Sequence, residues 1–511
     1  MYQLMSVAVL MVSVVKFTHS TRPNFLIILT DDQDVTLSGL TPLNKTRKLI
    51  GEEGSLFTNA FVTTPVCCPS RSSILTGLYQ HSHGTVNNSL AGNCSSKRWQ
   101  ESHEPHTFAA QLHRAGYRTF YGGKYLNKYG YKSSGGVEHV PHGWDWWIGL
   151  VGNSVYYNYT LSVNGSRVDK GDKESDYLTD VLKEYSLSFL TEQAPDEPFL
   201  MMVSTPAPHE PFTPARRHEG KFSGFEAPRT PNFNVPVNDR KHWLLRLLPD
   251  KLPPETVDRI DQVFRNRWET LLAVDDLVEE LVKRLENLRL LNNTYIIFIS
   301  DNGFHLGQFG QPWDKRQPYE TDIRVPLMVR GPGVLKGVVK HPVLNIDIAP
   351  TILTAAKVSS QRVMDGMSFL SLMRSETSDQ QDLSRTFLLE YHGESGNKKN
   401  PCYDDPNVKL CELEAACKCF DARNNTFMCV RHLSDSGNDV FCQFRDDESF
   451  EEYYDLQIDP YQMKNLFDGS KAGIRRLVLH CCKRQIQKRK SIEECYDRRG
   501  LLPVPEIIQL Q

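Results

Sequence analysis

"NFLIILT" runs from Asn24 to Thr30 and is followed at once by Asp31-Asp32. The run is apolar throughout, without alternation, and too short for a core helix. That pattern marks a parallel strand buried on both faces. Three more runs read the same way: "YRTFY" (Tyr117 to Tyr121), "PFLMMVS" (Pro198 to Ser204) and "TYIIFIS" (Thr294 to Ser300). Before the last comes "VFRNRWETLLAVDDLVEELVKRLENL". Its Val263, Trp268, Leu271, Leu272, Val278, Leu281, Val282 and Leu285 recur at helical spacing. A long amphipathic helix feeding a strand predicts an α/β fold, a large mostly parallel sheet flanked by helices.

The residues just beyond each strand carry the chemistry. The first run ends in Asp31-Asp32, the second reaches "GGK" with Lys124, the third reaches "TPAPH" with His209, and the fourth ends in Asp301-Asn302-Gly303. Open α/β sheets bind ligands beyond the carboxyl ends of their strands. Four strands delivering polar residues to one edge predict a site there. Asp31, Asp32, Asp301 and Asn302 are hard oxygen donors. Their carboxylates repel one another unless a cation lies between them, and oxygen ligation suits Ca²⁺ or Mg²⁺ rather than zinc. Arg71, Lys124 and Lys315 add fixed positive charge, and His209 a proton or a hydrogen bond. This set fits an anionic substrate such as a sulfate or phosphate ester.

The chain has 511 residues, 40% hydrophobic and 24% charged, with a formal net charge of -3. That allows one large catalytic domain plus a smaller one, and no basic field points to nucleic acid. "LMSVAVLMVSVV" (Leu4 to Val15) is too short to span a bilayer comfortably; residues 1–20 read as a signal peptide, a short membrane anchor being the alternative. No later segment is long and apolar enough to cross a membrane. Seven N-x-[ST] sequons, at Asn44, Asn87, Asn93, Asn158, Asn164, Asn292 and Asn424, support the secretory route. So do twelve cysteines, nine of them beyond residue 400. They predict a disulfide-stapled C-terminal region. "CKC" (Cys417 to Cys419) offers zinc as a competing reading, but paired C-x-x-C units are missing. The polar stretch "RSETSDQQDLSR" (Arg374 to Arg385) sets the expected boundary: a catalytic domain over 21–385 and a cysteine-rich α+β subdomain over 386–511. "LPDKLPPET" (Leu248 to Thr256) reads as a surface loop.

"VCCPSRSSILTG" (Val66 to Gly77) places Cys67 beside Cys68. Neighbouring cysteines bridge each other only through a strained ring, so at least one has another use. "CCPSR" at 67–71 matches C-x-P-S-R, the highly specific mark of the type I sulfatases. "SRSSILTG", "LTDDQD", "GGKYL", "TPAPH", "SDNG" and "YDLQIDPYQMKNL" extend that resemblance over nearly the whole mature chain. Within the family, "TDDQD", "VNNSLAGNCSSKRWQ", "GGVEHVPHGWDWW" and "LLAVDDLVEELVKRLE" resemble the glucosamine 6-sulfatases. Secreted 6-endosulfatases share some of these stretches, but their long, very basic insertion is absent here.

The resemblance implies an alkaline-phosphatase-like sulfatase fold. It implies that a formylglycine-generating enzyme oxidises Cys67 to formylglycine. One Ca²⁺, in preference to Mg²⁺, would be held by Asp31, Asp32, Asp301, Asn302 and the converted residue 67. Arg71 and Lys124 would hold nucleophile and sulfate, and His209 or Lys315 would protonate the leaving oxygen. The implied substrate is 6-O-sulfated N-acetylglucosamine or glucosamine in heparan or keratan sulfate. The implied location is the lysosome, with secretion as the alternative, and a homodimer is compatible with it. In one departure, Leu126 stands where many sulfatases carry a His after the "GK" lysine. The base for sulfate elimination is then left between His83 and His305, with Asn127 as an orienting group. With Cys67 consumed, eleven of the twelve cysteines remain, an odd number that leaves at least one thiol unpaired, and Cys68, the variable residue of the motif, is expected as that buried thiol. An endosulfatase, an arylsulfatase, a related metal phosphoesterase and an inactive glycan-binding relative are the competing functions.

Overall fold

The computed structural model describes residues 22–194, 197–374, 383–396 and 401–467. The signal peptide expected over 1–20 lies outside them. A ten-stranded sheet forms the centre. Its middle is five parallel strands in the spatial order Thr294–Ser300, Asn24–Thr30, Phe199–Ser204, Arg118–Lys124 and Trp146–Leu150. Antiparallel strands flank them, Leu327–Arg330 on one side and Thr160–Val163 on the other.

All seven residues of Asn24–Thr30 are buried, because helices cover both faces. Phe25, Ile27 and Leu29 point to one side, into a core with Ile74, Phe108, Leu112 and Ile352. Leu26 and Ile28 point to the other, against Leu178, Leu182, Leu271, Val274 and Leu281. Burying each such side chain contributes about 1.5–3 kcal/mol, which explains the unbroken apolar run.

The long helix spans Pro254–Asn287. It begins inside the stretch expected to be a loop, so the loop reading is corrected for Pro254, Glu255 and Thr256. Pro254 stands in the first turn, where a proline's missing N–H costs nothing.

Beyond the central sheet, Arg385–Tyr391 opens a four-stranded antiparallel sheet with Phe427–Leu433, Asn438–Phe444 and Glu451–Asp455. A hairpin, Val408–Cys411 with Cys419–Ala422, stands beside it. Disulfides Cys402–Cys417, Cys411–Cys419 and Cys429–Cys442 staple this region. The outer cysteines of "CKC" are therefore both in disulfides. No helix comes after Ala356 among the described residues. Residues 468–511 of the expected C-terminal subdomain, with Cys481, Cys482 and Cys495, lie outside them.

The unpaired thiol expected at Cys68 is corrected: Cys68 forms a disulfide with Cys94. Cys67 and Cys68 open the helix Cys67–Thr76, where successive side chains diverge by about 100°. One therefore faces the site while the other faces the segment carrying Cys94. Cys67 is the free cysteine of the described residues, and it is buried.

Candidate active site

Strand register builds the site. Thr30 pairs with Ser300, so Asp31-Asp32 and Asp301-Asn302 emerge side by side. The Asp32 backbone N–H donates to Asp301 Oδ1 at 3.0 Å, and Asn302 Nδ2 donates to Asp32 Oδ1 at 2.7 Å. Lys124, the last residue of its strand, puts Nζ 2.7 Å from Asp31 Oδ2. Lys315 Nζ lies 2.5 Å from Asp32 Oδ2, and His209 Nε2 3.7 Å from the same oxygen. Cys67, at the N-terminus of its helix, places Sγ 3.9 Å from Asp32 Oδ1. The sequence-predicted residues thus converge.

Arg71 sits one turn along from Cys67. Its Nε donates to Asp301 Oδ2 at 2.7 Å and its Nη1 to Lys124 O and Ser204 Oγ, each at 2.7 Å. Nη2 lies 3.3 Å from Asp31 Oδ1. Every one of these contacts is to the acidic cluster or its frame, so Arg71 holds the carboxylates in place.

Three carboxylates here meet three cations in nearly complete burial. Burial opposes ionisation of Asp31, but Lys124, His209 and Arg71 hold its carboxyl well below the usual range. Asp32 is likewise held low against burial, chiefly by Lys315. Burial and the Asp31 carboxylate push Asp301 up to about 7. Burial pushes the Cys67 thiol up to about 12. A thiol held neutral is a poor nucleophile, so unmodified Cys67 does not suit attack on an ester.

The donor set fits a hard cation. Donor atoms of Asp31, Asp32, Cys67 and His209 lie within 4.8 Å of one another. Asp301 and Asn302 adjoin them through the hydrogen bonds above. Buried Asp31 Oδ1, whose contact with Arg71 Nη2 is an ion pair outside hydrogen-bond geometry, and Asn302 Oδ1 accept no hydrogen bond. Oxygens left this way are available to a metal such as Ca²⁺ or Mg²⁺.

His209 Nδ1 is 2.6 Å from the Glu210 carbonyl, so Nδ1 carries the proton and Nε2 turns a lone pair toward Asp32. Burial lowers this imidazole to about 4. Lys315 is raised above the usual ammonium range; burial opposes this most strongly, but Asp32, Cys67 and Asp314 together outweigh it. The two expected elimination bases are placed differently. His83 has both ring nitrogens engaged, with Ser73 Oγ at 3.1 Å and the Thr85 N–H at 3.0 Å. His305 Nδ1 sits 3.0 Å from Asp322, and its buried Nε2 has no hydrogen-bond partner. Asn127 Nδ2 donates to Asn153, and its Oδ1 is buried without a partner.

Sequence reasoning missed three supports. Ser154 Oγ donates to Asp31 Oδ2. Ser204 receives Arg71. Arg267, buried on the long helix, donates to the Asp32 carbonyl at 2.8 Å and to Asp34 at 2.9 Å. It thereby fixes Asp32, whose φ of 66° lies in the left-handed region. Arg267 was findable: it falls between Phe264 and Leu271 on the apolar face of an amphipathic helix. Ser154 and Ser204 carry no comparable signal.

Above the cluster opens a pocket of about 360 Å³. Asp32, His209 and Lys315 line it together with Phe212, Phe304, Trp313 and, from the stapled hairpin, Phe420.

The family model described as Sulfatase matches residues 23–358. That described as N-sulphoglucosamine sulphohydrolase, C-terminal, matches residues 307–420. The chain is 49% identical to the N-acetylglucosamine-6-sulfatase of Capra hircus over 475 residues, 91% of this chain and 84% of that protein. It is 50% identical to the Homo sapiens protein of the same name, over 90% and 85%. The Extracellular sulfatase SULF-1 homolog of Drosophila melanogaster is 41% identical over 73% of this chain but 33% of its own length. Among solved structures, a complex with D-glucosamine-2-N,6-O-disulfate as its substrate has a TM-score of 0.68 at 23% identity, covering 92% of this chain and 98% of that one. A phosphonate monoester hydrolase from Silicibacter pomeroyi reaches 0.67 at 19%, covering 94% and 98%. The architecture is therefore shared by more than one chemistry, and it is the match over two thirds of the sequence that decides: the chain belongs to the sulfatase family.

Proposed function

We propose that the chain hydrolyses the 6-O-sulfate of a terminal N-acetylglucosamine or glucosamine in glycosaminoglycans, with residue 67 as nucleophile after its conversion to formylglycine. What carries the reading is the convergence of Lys315 and His209 on Asp32 beside Cys67, in a chain about half identical to N-acetylglucosamine-6-sulfatases over nine tenths of its length.

The hydrate of formylglycine offers two hydroxyls on one carbon. One attacks sulfur, the sulfur–oxygen bond to the sugar breaks, and the sugar alcohol leaves with a proton. Lys315 stays charged at neutral pH and is the donor for that proton, since His209 presents a bare Nε2. The second hydroxyl gives up its proton, the aldehyde re-forms, and sulfate departs. A cation held by Asp31, Asp32, Asp301 and Asn302, which we assign as Ca²⁺, supplies positive charge to favour an ionised hydroxyl and to polarise the sulfate oxygens. Arg71 and Lys124 keep Asp31 and Asp301 oriented.

The pocket volume lies at the low end for small-ligand sites, about 300–1,000 Å³. It has room for one terminal sugar with its sulfate and leaves the next sugar at the mouth, which favours exo action. Four disulfides among the described residues suit an oxidising compartment, and we assign the chain to the lysosome. No described helix is long and apolar enough to cross a membrane. The test is sulfate release from 6-sulfated oligosaccharides of increasing length. The exo reading expects one sulfate per chain, from the non-reducing end. Equal release from internal residues overturns it in favour of an endosulfatase.

A further inference from the structure

The sulfated sugar enters the pocket with its 6-position toward Asp32, so the sugar linked to it lies toward the mouth. Four cations line this pocket: Lys128, Lys315, Arg316 and Lys409. Three are matched by carboxylates. Lys315 pairs with Asp32, Arg316 with Asp314, and Lys409 with Glu394 at 2.5 Å. Lys128 has no carboxylate within ion-pair distance among the described residues. Its ammonium instead lies 5.6 Å from the centroid of the Tyr131 ring. Tyr131 also lines the pocket and is 44% exposed, high for so large an aromatic.

The backbone fixes this pair. Lys128 has φ 70°, in the left-handed region, and its carbonyl accepts from Ser134 Oγ at 2.8 Å and the Tyr131 N–H at 3.3 Å. The Tyr131 carbonyl accepts from the N–H groups of Ser134 and Gly136 at 2.8 and 2.9 Å. A Cβ at Gly152, whose φ is 86°, would lie 3.2 Å from both Cε1 and Oη of Tyr131. Bare backbone at position 152 leaves the ring its place.

An exposed ring beside an unmatched ammonium is suited to a sugar that carries a carboxylate: the C–H face stacks on the ring and the carboxylate meets the cation. Glu210 and Glu412 line the same pocket and repel such a sugar elsewhere. We propose that Lys128 and Tyr131 form the subsite for the second sugar and favour a uronate there over a neutral hexose. This rests on the function proposed above, and it selects heparan-type over keratan-type ends.

The test compares three substrates: 6-sulfated N-acetylglucosamine alone, its disaccharide with a reducing-side uronate, and its disaccharide with galactose. For the wild type, kcat/KM should be highest with the uronate. Lys128→Gln should lower the ratio of uronate disaccharide to monosaccharide about two- to fivefold, the range of an exposed ion pair, and through KM rather than kcat. Tyr131→Ala should lower both disaccharides relative to the monosaccharide. A thermal melt checks that both variants fold. Equal ratios in wild type and Lys128→Gln, or a wild type indifferent to the uronate, overturn the subsite while leaving the function standing. Failure of the wild type to release sulfate from any of the three overturns the function and the subsite with it.

Discussion

Replacing Cys68 alone should harm the protein more than replacing Cys68 and Cys94 together. The disulfide between them closes a loop of sequence separation 26. Chain-entropy reasoning gives such a cross-link about 3.5 kcal/mol. For a chain of this length that corresponds to a melting shift of about 3 to 4 °C if the whole unfolds together. Cys68→Ser/Cys94→Ser should show this loss and keep Cys67 available for conversion. Cys68→Ser leaves the Cys94 thiol with Cys67, the free cysteine of the described residues and next in sequence to Cys68, as an alternative partner, so part of the protein should carry a Cys67–Cys94 bridge and lack the aldehyde. Thermal melts and peptide mass spectrometry across residues 67–71, with and without reductant, read both effects. The reasoning is refuted if the double variant melts with the wild type, or if single and double variants convert Cys67 to the same extent.

Chelation should lower the melting temperature as well as activity, since Ca²⁺ at a hundred times its Kd stabilises the folded state by about 2.7 kcal/mol; an unchanged melt and full turnover would remove the cation from the account. Asp301→Ala should abolish turnover and the calcium-dependent part of the melt. Arg267→Met should lower kcat by freeing Asp32, with sulfate release and a calcium titration as readouts; unchanged values in both would reduce Arg267 to a packing residue. Burial lowers Lys241 from 10.5 to about 7, against Glu452 and Asp459. Its ammonium lies over Phe309, Tyr319 and Tyr454, at 3.8, 4.3 and 4.5 Å from the ring centroids. The unfolded chain keeps that proton up to about 10.5, so this group's contribution makes stability rise with pH between about 7 and 10.5, by on the order of 5 kcal/mol. Melts at pH 6, 8 and 9.5 should therefore show wild type gaining on Lys241→Met as pH rises, and a constant difference would contradict this.

The central strands were legible because burial on both faces leaves a plain trace. Asn24–Thr30 and Thr294–Ser300 match the apolar runs residue for residue. The site came with them, since parallel register brings the residues after those strands together whatever the loops do. Short edge strands such as Ser166–Asp169 are mostly exposed and carry no apolar pattern. The start of the long helix was hidden because prolines read as loop even where a first turn accepts them. Cys68 was misread because counting cysteines gives parity and not partners; helical geometry, which separates adjacent side chains, decides which of the two faces Cys94. Arg71 braces two carboxylates and a strand end at once because a guanidinium has five donors, a use that the motif spacing alone does not display.

The most direct test of the central claim is the mass of residue 67 in a Cys67→Ser variant exposed to 6-sulfated N-acetylglucosamine. Serine keeps one hydroxyl and lacks the second, so attack on sulfur has a route in and none out. The account predicts a peptide over residues 67–71 about 80 Da heavier, a trapped sulfate ester, with little or no turnover. Turnover by this variant at the wild-type rate, or a sulfate ester on any residue other than 67, would contradict it.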